Sequence, residues 1–173
     1  MNRNDRLSAI KILYEISCKS SLLGQSHAVT YVTVSSQYSD IPSEHDNLEC
    51  LGYEEVDPLS PCVPFINDNV RDAVSYCSTN YFNIIKIMSS CLENGTDISM
   101  SYMLEAILRC AFYELSKKVE QDNAIWKSRI ISEYLSIALL FGQTQRLGLI
   151  NHLLDACWEK LNSSSQTLIE VVS

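Results

Sequence analysis

Residues that break helices are scarce. The 173-residue chain has five glycines and four prolines, and all four prolines fall between positions 42 and 64, so the remainder carries little punctuation. With 46% hydrophobic residues, the composition suits a compact, largely helical protein, one domain in size, better than a disordered chain. Long hydrophobic runs are missing as well. No window approaches the roughly 18 uninterrupted apolar residues that a membrane-spanning helix needs, and Met1-Asn-Arg-Asn-Asp-Arg6 leads into a mixed amphipathic segment, so a soluble cytoplasmic protein is expected. Positive charge is short: 13 Lys and Arg stand against 21 Asp and Glu, a net charge of -8. Nucleic-acid affinity rests largely on Lys and Arg neutralising phosphates. The acidic balance therefore opposes RNA binding unless the basic residues cluster on one face or a basic partner shares the contact.

Catalytic patterns are absent too. There is no His or Cys pair at metal-ligand spacing, no Gly-x-Ser-x-Gly elbow and no Gly-Lys-Ser or Gly-Lys-Thr phosphate loop, so neither an enzyme nor a metal or other cofactor is expected. Seven cysteines, at 18, 50, 62, 77, 91, 110 and 157, include no Cys-x-x-Cys. Their odd number and apolar helical phases suit reduced core residues rather than a disulfide framework.

What is present is helical periodicity. Asn4 can cap a helix to about Lys19 that turns Leu7, Ile10, Leu13, Tyr14 and Ile16 to one face and Arg6 and Lys11 to the other. From Ser20 to Pro64 the pattern decays into a long irregular segment or a divergent helix. Within it His27 to Val34 has strand-like residues but no partner strand, which favours helix or irregular structure. Val70, Ala73, Val74, Cys77, Tyr81, Ile84, Ile85 and Met88 then form a 3 and 4 spaced stripe along one helix, about 67 to 92, ended by Asn94-Gly95. Ser99 or Ser101 starts the next helix, which runs to about Lys118 and is apolar on several sides, as a central helix would be. Two more follow, at about 125 to 140, stopped by Gly142, and about 145 to 161. One domain over 1–162 and a flexible tail over 163–173 complete the expectation.

Ala106-Ile-Leu-Arg-Cys-Ala-Phe-Tyr-Glu-Leu115 embeds an arginine in that central run. Leu139-Leu-Phe-Gly142 and Leu149-Ile-Asn-His-Leu-Leu-Asp155 follow at helical distances, and Val70-Arg-Asp72, Arg6, Ala9 and Leu13-Tyr14 precede it. In order and spacing these segments, about two-thirds of the chain, resemble the NusB family. The resemblance implies an all-α fold of two antiparallel three-helix groups. It also implies a non-enzymatic transcription antitermination factor that joins ribosomal protein NusE and boxA-type leader RNA within an RNA polymerase complex during ribosomal RNA synthesis. The family's basic start is matched by Arg3 and Arg6, and with Lys11 and Arg146 these form the candidate RNA-binding set. Asn2, Asn4 and Asp5 stand where the family is often basic or neutral, and Leu147 and Gly148 replace the His and Lys of its usual Ser-His-Lys-Phe loop. RNA affinity is then weak without a partner. The alternative is a NusB-fold protein-interaction or dimerisation module without RNA binding, akin to the accessory domain of some RNA cytosine methyltransferases.

Several of these residues also have plainer roles. Arg109 in an apolar helix is expected to pair with Glu105, Glu114 or Glu133. Tyr14, Tyr113 and Tyr134 fall on apolar faces and suit the core better than base stacking. Asn151 suits a local hydrogen bond to the preceding loop, and Arg146 suits a solvated first turn as well as an RNA contact.

Overall fold

The computed structural model describes residues 1–38, 66–92, 100–119 and 124–170, with positions 37, 38, 124 and 164–170 described by backbone alone. Seven α-helices lie in these residues, with no strand: α1 (Arg3–Leu23), α2 (His27–Tyr38), α3 (Asp68–Thr79), α4 (Tyr81–Ser90), α5 (Tyr102–Val119), α6 (Ala124–Leu140) and α7 (Leu147–Glu170). The protein is an all-α bundle. No helix among the described residues is long and apolar enough to cross a membrane.

Local chemistry sets the helix ends. Asn2, not Asn4, caps α1, because Asp5 stands three residues on and closes a reciprocal box: Asn2 Oδ1 accepts from the Asp5 amide at 2.8 Å and Asp5 Oδ2 from the Asn2 amide at 3.2 Å. The helix runs past Lys19 to Gly24, whose φ of +62° needs no Cβ, and the Gln25 amide reaches back to the Ser20 carbonyl at 3.1 Å. Ser26 then accepts from the Val29 amide at 3.4 Å and opens α2. Residues 20–38, expected to be either irregular or a divergent helix, are therefore mostly helical; 39–65, with all four prolines, lie outside the described residues.

The single helix expected over 67 to 92 is two. Ser78 and Asn80 turn their side chains back onto the carbonyls of Val74 (2.7 Å) and Tyr76 (3.0 Å), and Thr79 does the same to Ser75. The Tyr76 carbonyl also takes the Asn80 amide, so these side chains add second bonds to the last turn, of the kind that bend helices, and at Asn80 (φ -97°, ψ 17°) the backbone leaves the helix. The apolar stripe resumes in α4, where Ile84 and Met88 are buried. Asn94-Gly95 and Ser99 lie outside the described residues, and Ser101 holds the Leu104 amide at 3.3 Å at the start of α5. At the end of α6, Gly142 (φ +70°) sends its amide to the Leu139 carbonyl and Gln143 to that of Ala138, the paired bonds of a Schellman stop. A 3-10 turn, Thr144–Arg146, leads into α7, which continues as helix to Glu170 through most of the expected tail.

α5 is the hub. Every residue from Leu104 to Leu115 is buried, and the helix packs on α1, α3, α6 and α7. α1, α2 and α3 pack mutually, as do α5, α6 and α7, and α1 and α3 also pack on α5; α4 packs on α3 and α7 and sets Tyr81 against His27 of α2 and Arg109 of α5.

Candidate nucleic-acid interface

The site forms where the start of α1 meets the end of α5 and the start of α6. Arg6, whose side chain is only 11% exposed, donates through Nε and Nη2 to the two Glu114 oxygens at 2.7 and 2.8 Å, and its Nη1 lies 3.7 Å from Glu133. The Tyr134 hydroxyl donates to Glu114 at 2.9 Å, and the Arg6 guanidinium lies over the same ring at 5.7 Å. Burial is the largest influence and opposes the charge on Arg6, but the hydrogen bond to Glu114 and the charges of Glu114, Tyr134 and Glu133 together outweigh it and raise the arginine pKa. Arg6 therefore fastens α1 to α5 and α6, and it cannot reach a phosphate without abandoning a buried carboxylate.

Arg3 stands differently. It is exposed and lines a cavity of about 600 Å³ with Lys118, Trp126 and Arg129. The Lys118 ammonium lies 4.9 Å and the Arg129 guanidinium 5.6 Å from the Trp126 ring centroid. Three cations and a half-buried indole share one concave wall there, with Glu133 the opposing charge and Glu114 already held by Arg6. Cations beside an aromatic face suit a nucleic-acid strand, whose phosphates and bases need charge and a stacking surface. Lys127 faces the other way and ties α6 to α7 through Asp155 at 3.0 Å and Glu159 at 2.9 Å.

The four residues selected from the sequence do not converge. Lys11, half-buried, lies about 12 Å along α1 from Arg3, and exposed Arg146 sits beyond the far end of α6, whose last residue is about 16 Å from Arg129 along the axis. Lys118, Trp126 and Arg129 were missed. The signal for them was local: Trp126 and Arg129 are spaced i,i+3 on one helix face, directly after the short connection that follows Lys117-Lys118.

Arg109 is a second buried arginine, at 0% exposure, and it takes Glu105 as its carboxylate at 3.2 Å. It also donates to Ser17 Oγ at 3.1 Å and to the Cys77 carbonyl at 2.9 Å, with the Tyr81 ring 4.9 Å away. His27 closes this network: it stacks on Tyr81 at 3.6 Å with Nε2 3.3 Å from Ser17 Oγ. Burial, and then the Arg109 charge, lower the histidine pKa to about 4. Nothing in its sequence neighbourhood announced this role. Tyr134 and Tyr113 are buried, whereas Tyr14 is 40% exposed and outside the core. Asn151 is exposed, and the turn before α7 is held by backbone bonds at Gly142, Gln143 and Arg146 instead. Among the described residues no three His, Cys, Asp or Glu are grouped to hold a metal. No protein family, curated protein or solved structure matches the chain.

Proposed function

We propose that this chain is a non-enzymatic, NusB-like transcription antitermination factor that joins NusE and boxA-type leader RNA, and that the RNA lies along the groove of Arg3, Lys118, Trp126 and Arg129. The observation that carries the reading is the placing of Lys118 and Arg129 over the Trp126 ring in a cavity that Arg3 also lines. Three phosphate contacts to a single strand correspond to a salt slope of only about -2. The RNA is therefore held weakly by the chain alone, and NusE, a basic protein drawn to a chain of net charge -8, supplies the remainder.

Binding of boxA-like RNA, measured with and without NusE across salt concentrations, tests this. Ternary binding at low salt is expected, and Arg129→Glu should flatten the salt slope by roughly one unit. Absence of ternary binding at low salt defeats the reading. The commitment of Arg6 to Glu114 favours a second one, an interaction or dimerisation module without RNA binding. Persistent NusE binding by an Arg3→Glu, Arg129→Glu variant, with no RNA signal in either protein, selects that alternative.

A further inference from the structure

We propose that Cys91 and Cys157 are a redox-convertible dithiol, and that its oxidation by hydrogen peroxide staples α4 to α7. Their sulfurs lie 3.9 Å apart, across 66 residues of sequence. Closure to a disulfide of about 2.05 Å requires the sulfurs to approach by about 2 Å. Cys91 is the C-cap of α4, at the end of the helix, and Cys157 is buried within α7. One turn beyond Cys157, Lys160 Nζ donates to the Ser90 carbonyl at 2.7 Å and to Ser90 Oγ at 2.5 Å, which fixes the register of the two helices beside the sulfurs.

Exposure orders the chemistry. Cys91 is 8% exposed and Cys157 1%, so a small peroxide meets Cys91 first. The Cys91 sulfur attacks one peroxide oxygen and the O–O bond breaks. The departing hydroxide takes the thiol proton as water and leaves a sulfenic acid. The Cys157 sulfur then attacks the sulfenic sulfur, the S–O bond breaks, and the displaced hydroxide takes the Cys157 proton as a second water. Two thiols lose two electrons and one peroxide becomes two waters. Burial and the neighbouring Cys91 push the Cys157 thiol up, with Lys160 acting against them, which keeps that resting thiol protonated and slow to react.

The staple matters because the end of α4 packs on α7 and the two cysteines stand 66 residues apart. Joining them closes a loop that contains α5 and α6 and so restricts the unfolded chain. The test treats the intact protein with hydrogen peroxide until half-buried Cys18 is oxidised, blocks the remaining thiols and digests with trypsin. Peptides 87–109 and 147–160 each contain one cysteine. They should appear linked, at a mass about 2 Da below their sum, and separate on reduction. The oxidised protein should melt about 5 °C higher, an effect reversed by reductant and absent from Cys91→Ser. Oxidised Cys18 alongside free Cys91 and Cys157, or Cys157 linked to another cysteine, overturns the pair. A linked pair with unchanged Tm overturns the staple.

Discussion

Arg6 and Arg109 carry similar charge into similar burial, and each is answered by a carboxylate on α5. Removing one member of such a pair leaves a desolvated charge, at a cost of about 3–5 kcal/mol. Glu114→Ala should therefore destabilise the fold by about that amount in urea unfolding, and an Arg6→Met, Glu114→Met double variant should recover most of the loss. Full additivity of the two single losses would contradict a closed pair. His27 gives a pH dependence. Its folded pKa of about 4 lies below the ordinary 6.5, so between those values the unfolded chain takes a proton that the folded chain refuses, and stability falls as pH is lowered. Relative to His27→Gln, the native protein should lose roughly 2 kcal/mol between pH 7 and pH 5. An equal loss in both proteins would remove His27 as the source. The need of Arg109 for a carboxylate could be read from its apolar neighbours, since a charge in such a run must be compensated. The partner of Arg6, 108 positions away, could not, because periodicity describes a face and says nothing about what meets it.

At the level of elements, the helices most legible in the sequence were those with short, strong punctuation. α6 ends at Gly142 because two bonds converge on a left-handed residue. Gly142→Ala should cost about 1 kcal/mol in thermal or urea unfolding, although nothing lies within 4 Å of an added Cβ. An unchanged stability would show that the turn relaxes to another conformation. The break between α3 and α4 was hidden for a specific reason. The buried stripe continues at helical spacing through Tyr81, Ile84 and Met88, while the stop is written in polar side chains, Ser78, Thr79 and Asn80, that periodicity ignores. α2 was obscured in a similar way. Its buried residues Thr30 and Val34 sit among exposed Val29 and Val32, so its apolar residues mark no single face.

For the whole molecule, net charge is a poor guide to where charge acts. Among the residues with described side chains 13 Lys and Arg stand against 9 Asp and Glu, so the acidic excess of the chain falls outside them, and the cations of the groove gather where α1 meets α5 and α6. The sequence identified α5 as the hub because its apolar residues occupy every side. It did not reveal which exposed cations assemble, since that depends on the packing of α1 against α5 and α6 rather than on any one helix. The same logic separates the two arginines of the basic start: Arg6 turns inward as a fastener, and Arg3 remains at the groove.

The Asp5 carboxylate has a reach beyond its own helix. Besides closing the box with Asn2, it accepts from Asn67 Nδ2 at 2.8 Å and Asn69 Nδ2 at 3.4 Å, and Asn67 in turn caps α3. The first turns of two helices are knotted at one buried residue. Arg3 therefore projects from a backbone whose conformational freedom has already been surrendered in folding, so a bound strand need not supply that ordering again. Asn67→Ala, 64 positions from Arg3 and outside the groove, should accordingly weaken RNA association by several-fold through a faster off-rate while leaving the salt slope intact. Unchanged dissociation kinetics would mean that Arg3 binds no better for being held.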